Sequence, residues 1–126
     1  MDILKTVLSH SPRSRQLVEE VADLCLENDQ IDYALTLLTG LVHDFPAEFD
    51  YVFKAGRACE ALGDIDTAIS HFSLVEQKEP DRIDVKLRLA ACYLAREKVI
   101  QADDYVNQVL KIDPDNPEAR ALRQQL

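Results

Sequence analysis

The chain has 126 residues, 47% of them hydrophobic, with three glycines, no tryptophan and a formal charge of −9. That length suits one domain, and the scarcity of glycine favours helices over a turn-rich β fold. The negative charge argues against binding nucleic-acid phosphates, which needs clustered Lys and Arg, and against docking on an anionic membrane.

The chain begins Met1-Asp2-Ile3-Leu4-Lys5. No basic stretch leads into a long apolar run, so no signal peptide is read. Ile3, Leu4, Val7 and Leu8 have helical spacing and predict an N-terminal helix over residues 2–11, ending before Pro12. Pro12, Pro46, Pro80 and Pro114 then stand 34 residues apart. Each removes a backbone donor and pushes the preceding residue out of the α region, so the series reads as a stop repeated at a fixed period.

Between the stops the pattern is two helices and a break, three times. From Arg15, Val18, Val21, Ala22 and Cys25 share one helical face. Glu27 to Gln30 breaks the pattern, and Ile31, Ala34, Leu35, Leu38, Leu41 and Val42 form a second face. From Phe49, the faces are Val52, Ala55, Gly56 and Cys59, then Ile65, Ala68, Ile69, Phe72 and Val75. Gly63 between them suits a left-handed helix end. From Ile83, they are Leu89, Ala90 and Tyr93, then Val99, Ala102, Val106, Val109, Leu110 and Ile112. Arg96-Glu97-Lys98 has no glycine, so a less standard turn is expected there. At the C-terminus, Asn116 is a good N-cap and Pro117 suits a first helical turn. Only Ala119, Ala121, Leu122 and Leu126 are apolar beyond it, as a capping helix over 117–126 requires.

The small residues recur in phase: Ala22, Gly56 and Ala90 in the first helices, and Ala34, Ala68 and Ala102 early in the second. A large apolar position follows at Leu38, Phe72 and Val106, and another at Leu41, Val75 and Val109. This pattern and its period resemble the tetratricopeptide repeat. The resemblance implies an all-α, right-handed solenoid of three helix-turn-helix repeats, about 15–48, 49–82 and 83–116, in one domain with a helix at each end. The tryptophan-like position of the family holds Val18, Val52 and Lys86 here. Its late aromatic survives only as Tyr93, and its inter-helix glycine only as Gly63.

The resemblance also implies a concave groove lined by the first helices. Its positions would be Gln16, Glu19, Glu20, Asp23 and Glu27, then Asp50, Phe53, Lys54, Arg57 and Ala61, then Asp84, Leu87, Arg88, Ala91 and Ala95. Two readings of the charges compete. Lys54 and Arg57 pair with Glu20 and Asp23 on the neighbouring helix, as weak solvated ion pairs. Alternatively, Lys54, Arg57 and Arg88 hold an acidic group of a peptide or partner helix while Phe53 and Leu87 take an apolar side chain. Repeats that grip the C-terminal tail of heat-shock chaperones would place Lys, Asn, Asn, Lys and Arg at Glu19, Asp23, Lys54, Asp84 and Arg88. Only Arg88 matches, so that partner is not expected.

Nothing else suggests chemistry. Cys25, Cys59 and Cys92 are odd in number, widely spaced and on apolar faces, so they read as small core residues in a reducing, cytoplasmic setting. His10, His43 and His71 have no ligand partner at metal spacing. No nucleophile-base set or phosphate loop is present, so neither an enzyme nor a cofactor is expected. The longest uncharged run, Tyr33 to His43, is too short for a membrane span. The reading is therefore a protein-interaction scaffold or adaptor. A docking segment of a larger enzyme or assembly protein is a second reading, since both ends look like half-repeats. Self-association through the N-terminal helix is a third.

Overall fold

The computed structural model describes residues 12–126, so the expected N-terminal helix lies outside the described residues. Among the described residues there are seven α-helices and no strand. They are α1 Pro12–Glu27, α2 Ile31–Asp44, α3 Phe49–Ala61, α4 Ile65–Lys78, α5 Ile83–Ala95, α6 Val99–Ile112 and α7 Pro117–Gln124. None is long and apolar enough to cross a membrane. The helices form two compact units, one ending at Gly63 and the other starting at Asp64.

In the first unit α2 packs on both α1 and α3. Its core joins Val18 and Ala22 of α1, Leu37, Leu38 and Leu41 of α2, and Tyr51, Ala55 and Ala58 of α3. In the second unit α5 packs on α4, α6 and α7. Its core includes Phe72 and Val75 of α4, Val85, Leu89 and Ala90 of α5, Val106 and Val109 of α6, and Ala119 of α7. Every in-phase small residue is buried: Ala22, Gly56 and Ala90, and Ala34, Ala68 and Ala102. A side chain no larger than methyl at these points lets backbones approach closely, so larger residues elsewhere on the face interdigitate.

The proline series needs one correction. Pro46, Pro80 and Pro114 lie in turns, each before a new helix, but Pro12 is itself the first residue of α1. At 16 residues, α1 is longer than α3 and α5, which have 13 each. The reason is local. The first turn of a helix has no use for the missing N–H, and proline's fixed φ is already helical there.

The turns after the first helices also differ from expectation. Asp29, Gly63 and Glu97 stand 34 residues apart, and all have positive φ, at 63°, 84° and 59°. In the first and third turns the next amide closes the helix end: Gln30 N–H donates to the Cys25 carbonyl and Lys98 N–H to the Tyr93 carbonyl, both at 2.8 Å. The turn at Glu97 is thus the same left-handed C-cap as the others, not a less standard one. The last helical carbonyls demand that conformation whatever the side chain. Glutamate tolerates it at a cost of roughly 1 kcal/mol. Replacing Glu97 by glycine is expected to raise unfolding stability by about 0.5–1 kcal/mol. Urea unfolding followed by circular dichroism checks this, and the same change at half-buried Glu60, inside α3, serves as the destabilising control.

The turns after the second helices repeat equally well. Amides of Phe45, Glu79 and Asp113 donate to carbonyls of Leu41, Val75 and Val109. Amides of Glu48, Arg82 and Asn116 then donate to carbonyls of Phe45, Glu79 and Asp113. Asn116 Oδ1 accepts the Ala119 amide at 2.9 Å, which caps α7 as its sequence suggests.

Candidate functional site

In the first unit α3 presents Phe53, Arg57 and Ala61 at i, i+4 and i+8, one stripe of a helix. With Leu26 and Glu27 at the end of α1 and Ile31 at the start of α2, this stripe bounds a cleft of about 380 Å³. Its walls are mainly apolar, from Leu26, Ile31, Phe53 and Ala61, and its charges are Glu27, Lys54 and Arg57.

The two cations of the cleft are not equivalent. Lys54 Nζ donates to both oxygens of Asp23, at 2.9 and 3.2 Å. Asp23 is on α1, so this pair spans the helices as the first of the two charge readings has it, and Lys54's charge is already balanced. Arg57 is exposed and makes no ion pair or hydrogen bond among the described residues. Glu20 is exposed on α1.

A second cluster ties α1 to the turn before α3. Arg15 Nε donates to the Tyr51 hydroxyl at 2.7 Å, and its Nη2 lies 3.4 Å from Glu48. Its guanidinium stands 4.2 Å from the centre of the Phe45 ring and 5.4 Å from that of Tyr51. Burial pushes the Tyr51 phenol up, although the hydrogen bond from Arg15 pulls the other way. This is a packing clamp: guanidinium on aromatic faces with its hydrogen bonds satisfied. Sequence reasoning passed over it because its parts are distant in the chain.

The second unit holds the remaining expected site residues differently. Leu87 was expected on the groove surface, but it is only 6% exposed. It packs with Ala90, Val106, Val109 and Ala119, beside Leu122. The reason is α7, whose apolar stripe covers α5. Arg88 is half-buried and ion-paired with Glu118, in the first turn of α7. Asp84 takes two hydrogen bonds from Arg82, at 3.1 and 2.7 Å, and these hold its carboxyl below the usual range.

The tryptophan-like position is more unusual. Val18 and Val52 are each 2% exposed there, and Lys86 is 6% exposed. A buried ammonium must find partners. Lys86 Nζ donates to Gln108 Oε1 at 2.7 Å and lies 3.6 Å from Glu76 Oε1. The second carboxylate oxygen of Glu76 is buried without a hydrogen-bond partner among the described residues. Tyr105, stacked on Tyr93 with ring centres 5.9 Å apart, has its phenol pushed far up by burial and by the nearby Glu76 carboxylate. A lysine in a run of apolar in-phase residues was the available signal for this cluster.

Cys59 and Cys92 are buried and Cys25 is half-buried, all as free thiols. His71 Nδ1 lies 2.9 Å from the Thr67 carbonyl, and His43 is exposed beside Asp44. Among the described residues no group of three or more His, Cys, Asp or Glu side chains is placed to hold a metal ion.

Known proteins agree with this architecture. The tetratricopeptide repeat profile matches residues 61–126. Protein CTR9 homolog of Arabidopsis thaliana is 35% identical over 71 residues, which is 56% of this chain but only 6% of that protein. The chain therefore spans a small fraction of that relative. The first TPR domain of Spaghetti (RPAP3), solved bound to the HSP90 peptide SRMEEVD, superposes with a TM-score of 0.82 at 20% identity, over 91% of this chain and 92% of that one. YrrB, a TPR protein with an unusual peptide-binding site, gives 0.81 at 21% identity, over 87% of this chain and 57% of that one. At such identities the two structures speak for the fold. With the profile covering more than half of its residues, and paired helices repeating every 34 residues, the chain belongs to the tetratricopeptide repeat family.

Proposed function

We propose that the chain is a non-catalytic scaffold or adaptor that binds a peptide or partner helix in the cleft of its first unit. The observation that carries this is the apolar-walled cleft of about 380 Å³, lined by an exposed Arg57 that no described residue engages. Preformed walls on packed helices spare the ligand part of the ordering cost of association. Both structural neighbours being peptide binders supports the same reading. The binding residues are Phe53 and Arg57, with Lys54, Asp23 and Glu20 framing them. Leu87 and Arg88 contribute little as they stand, because α7 covers the one and neutralises the other.

The ligand is not a heat-shock chaperone tail. Glu19 and Asp23 stand where that grip needs Lys and Asn, and Lys54 is held by Asp23. Three free thiols fit a reducing, cytoplasmic setting. The test is a pull-down with the wild-type chain against a Phe53→Ala, Arg57→Gln double variant. A partner held by the wild type should fall at least tenfold with the double variant, while the circular dichroism spectrum at the assay temperature stays that of the folded wild type. Equal recovery of every partner removes the cleft from the binding surface.

A second reading is a docking segment within a larger protein. The 6% span of the Arabidopsis relative favours it. The binding surface is the same in both cases.

A further inference from the structure

We infer that the cleft of the first unit recognises a bulky apolar side chain together with the side-chain carboxylate of a nearby residue, within a continuous peptide segment. This rests on the cleft being the binding surface. Three cations were candidates to read an acidic ligand. Lys54 is balanced by both oxygens of Asp23, and Arg88 is paired with Glu118. Only Arg57 has its charge and its planar fork of donors unengaged among the described residues, so the acidic group is read there, bidentately, by one guanidinium.

The position of Arg57 decides which carboxylate fits. It lies midway along the stripe, between Phe53 and Ala61, and is itself exposed. Arg57 lines the cleft and is exposed, whereas Leu26, Ile31 and Phe53 are half-buried, so a guanidinium on a methylene stem is suited to the wet side of the cleft. The apolar anchor therefore goes to the floor, against Leu26, Ile31 and Phe53, while the charge stays at the rim. A chain-terminal carboxylate is attached to the same residue as its anchor. It would be drawn down to the apolar walls and towards Glu27, where no unengaged cation meets it. A carboxylate on a neighbouring side chain reaches the rim without that cost. In an extended peptide, residues two apart face the same way and have this geometry.

The test uses the full chain, isotope-labelled, and four synthetic heptapeptides. Three are blocked at both ends and carry Leu-Ser-Asp, Leu-Ser-Asn or Ala-Ser-Asp between Gly and Ser residues. The fourth ends in leucine with a free carboxylate. Binding is read from the amide shifts of Phe53, Arg57 and Leu26. The Leu-Ser-Asp peptide is expected to bind about tenfold more tightly than the Leu-Ser-Asn peptide, as a hydrogen-bonded charge contact should. That ratio is expected to fall to about one in Arg57→Gln, an exposed position whose change leaves the core intact. Equal binding of the Asp and Asn peptides at the cleft overturns the carboxylate reading but leaves the cleft as a binding surface. Tightest binding by the free-ended peptide overturns the side-chain assignment. No shift at these residues with any peptide overturns the cleft reading itself.

Discussion

Replacing Lys86 by alanine is expected to lower the free energy of unfolding by about 3 kcal/mol, the low end for breaking a buried ion pair by removing one partner. The methylenes lost are the smaller part of that effect. Without the ammonium, Glu76 is left half-buried with no counter-charge, and one of its oxygens already lacks a hydrogen bond. Gln108 Oε1 also loses its 2.7 Å donor. The informative partner experiment is Glu76→Leu with Lys86→Met, which removes both charges and fills the space. Desolvation of two ions often cancels their attraction, so this double variant is expected within about 1 kcal/mol of the wild type. Chemical denaturation of the three proteins separates the effects. A single variant as stable as the wild type would mean that Glu76 finds water or another partner readily.

The second large effect uses the repeat as its own control. Leu38, Phe72 and Val106 occupy one repeat position and are each at most 1% exposed. Truncation to alanine at each therefore removes different volumes from equivalent surroundings. The expected losses are about 4 kcal/mol for Phe72, about 3 for Leu38 and about 2 for Val106. Against a total stability of about 5–15 kcal/mol for a domain of this size, the first is a large fraction. Melting and denaturant midpoints give the order. If Val106→Ala costs as much as Phe72→Ala, the surroundings relax unequally and the positions are equivalent in sequence only.

Much of the fold was legible because it depends on local rules with a fixed period. The prolines mark the turns after the second helices, and the alanines mark the helix crossings. Both follow from steric limits that a side chain states directly. The turn at Glu97 was illegible for the opposite reason. Its left-handed φ is imposed by backbone carbonyls at the helix end, and glutamate does not advertise it. Pro12 was ambiguous because proline both stops one helix and starts the next.

The candidate site was legible in its residue types but not in its charges. Phe53, Lys54 and Arg57 line one cleft of the first unit, yet which cation is engaged depends on contacts far apart in sequence. Lys54 and Asp23 are 31 residues apart, and Arg88 and Glu118 are 30 apart. Phase likewise put Leu87 on a helix face without showing that α7 would cover it. Tertiary cover and ion pairing are properties of neighbouring helices, and a single helix face carries no record of them.

The short terminal helix α7 has a practical implication for handling the protein. It has eight residues, yet it shields Leu87 and neutralises Arg88. Cleavage by a contaminating protease in the exposed Pro114-Asp115 turn would strip both protections at once. The clipped species would expose the oily patch around Leu87 and lose the Glu118 carboxylate beside it, and such surfaces make preparations sticky. Intact mass is thus the quality criterion that matters most before any affinity is measured, because a nicked fraction would mimic a ligand-binding groove.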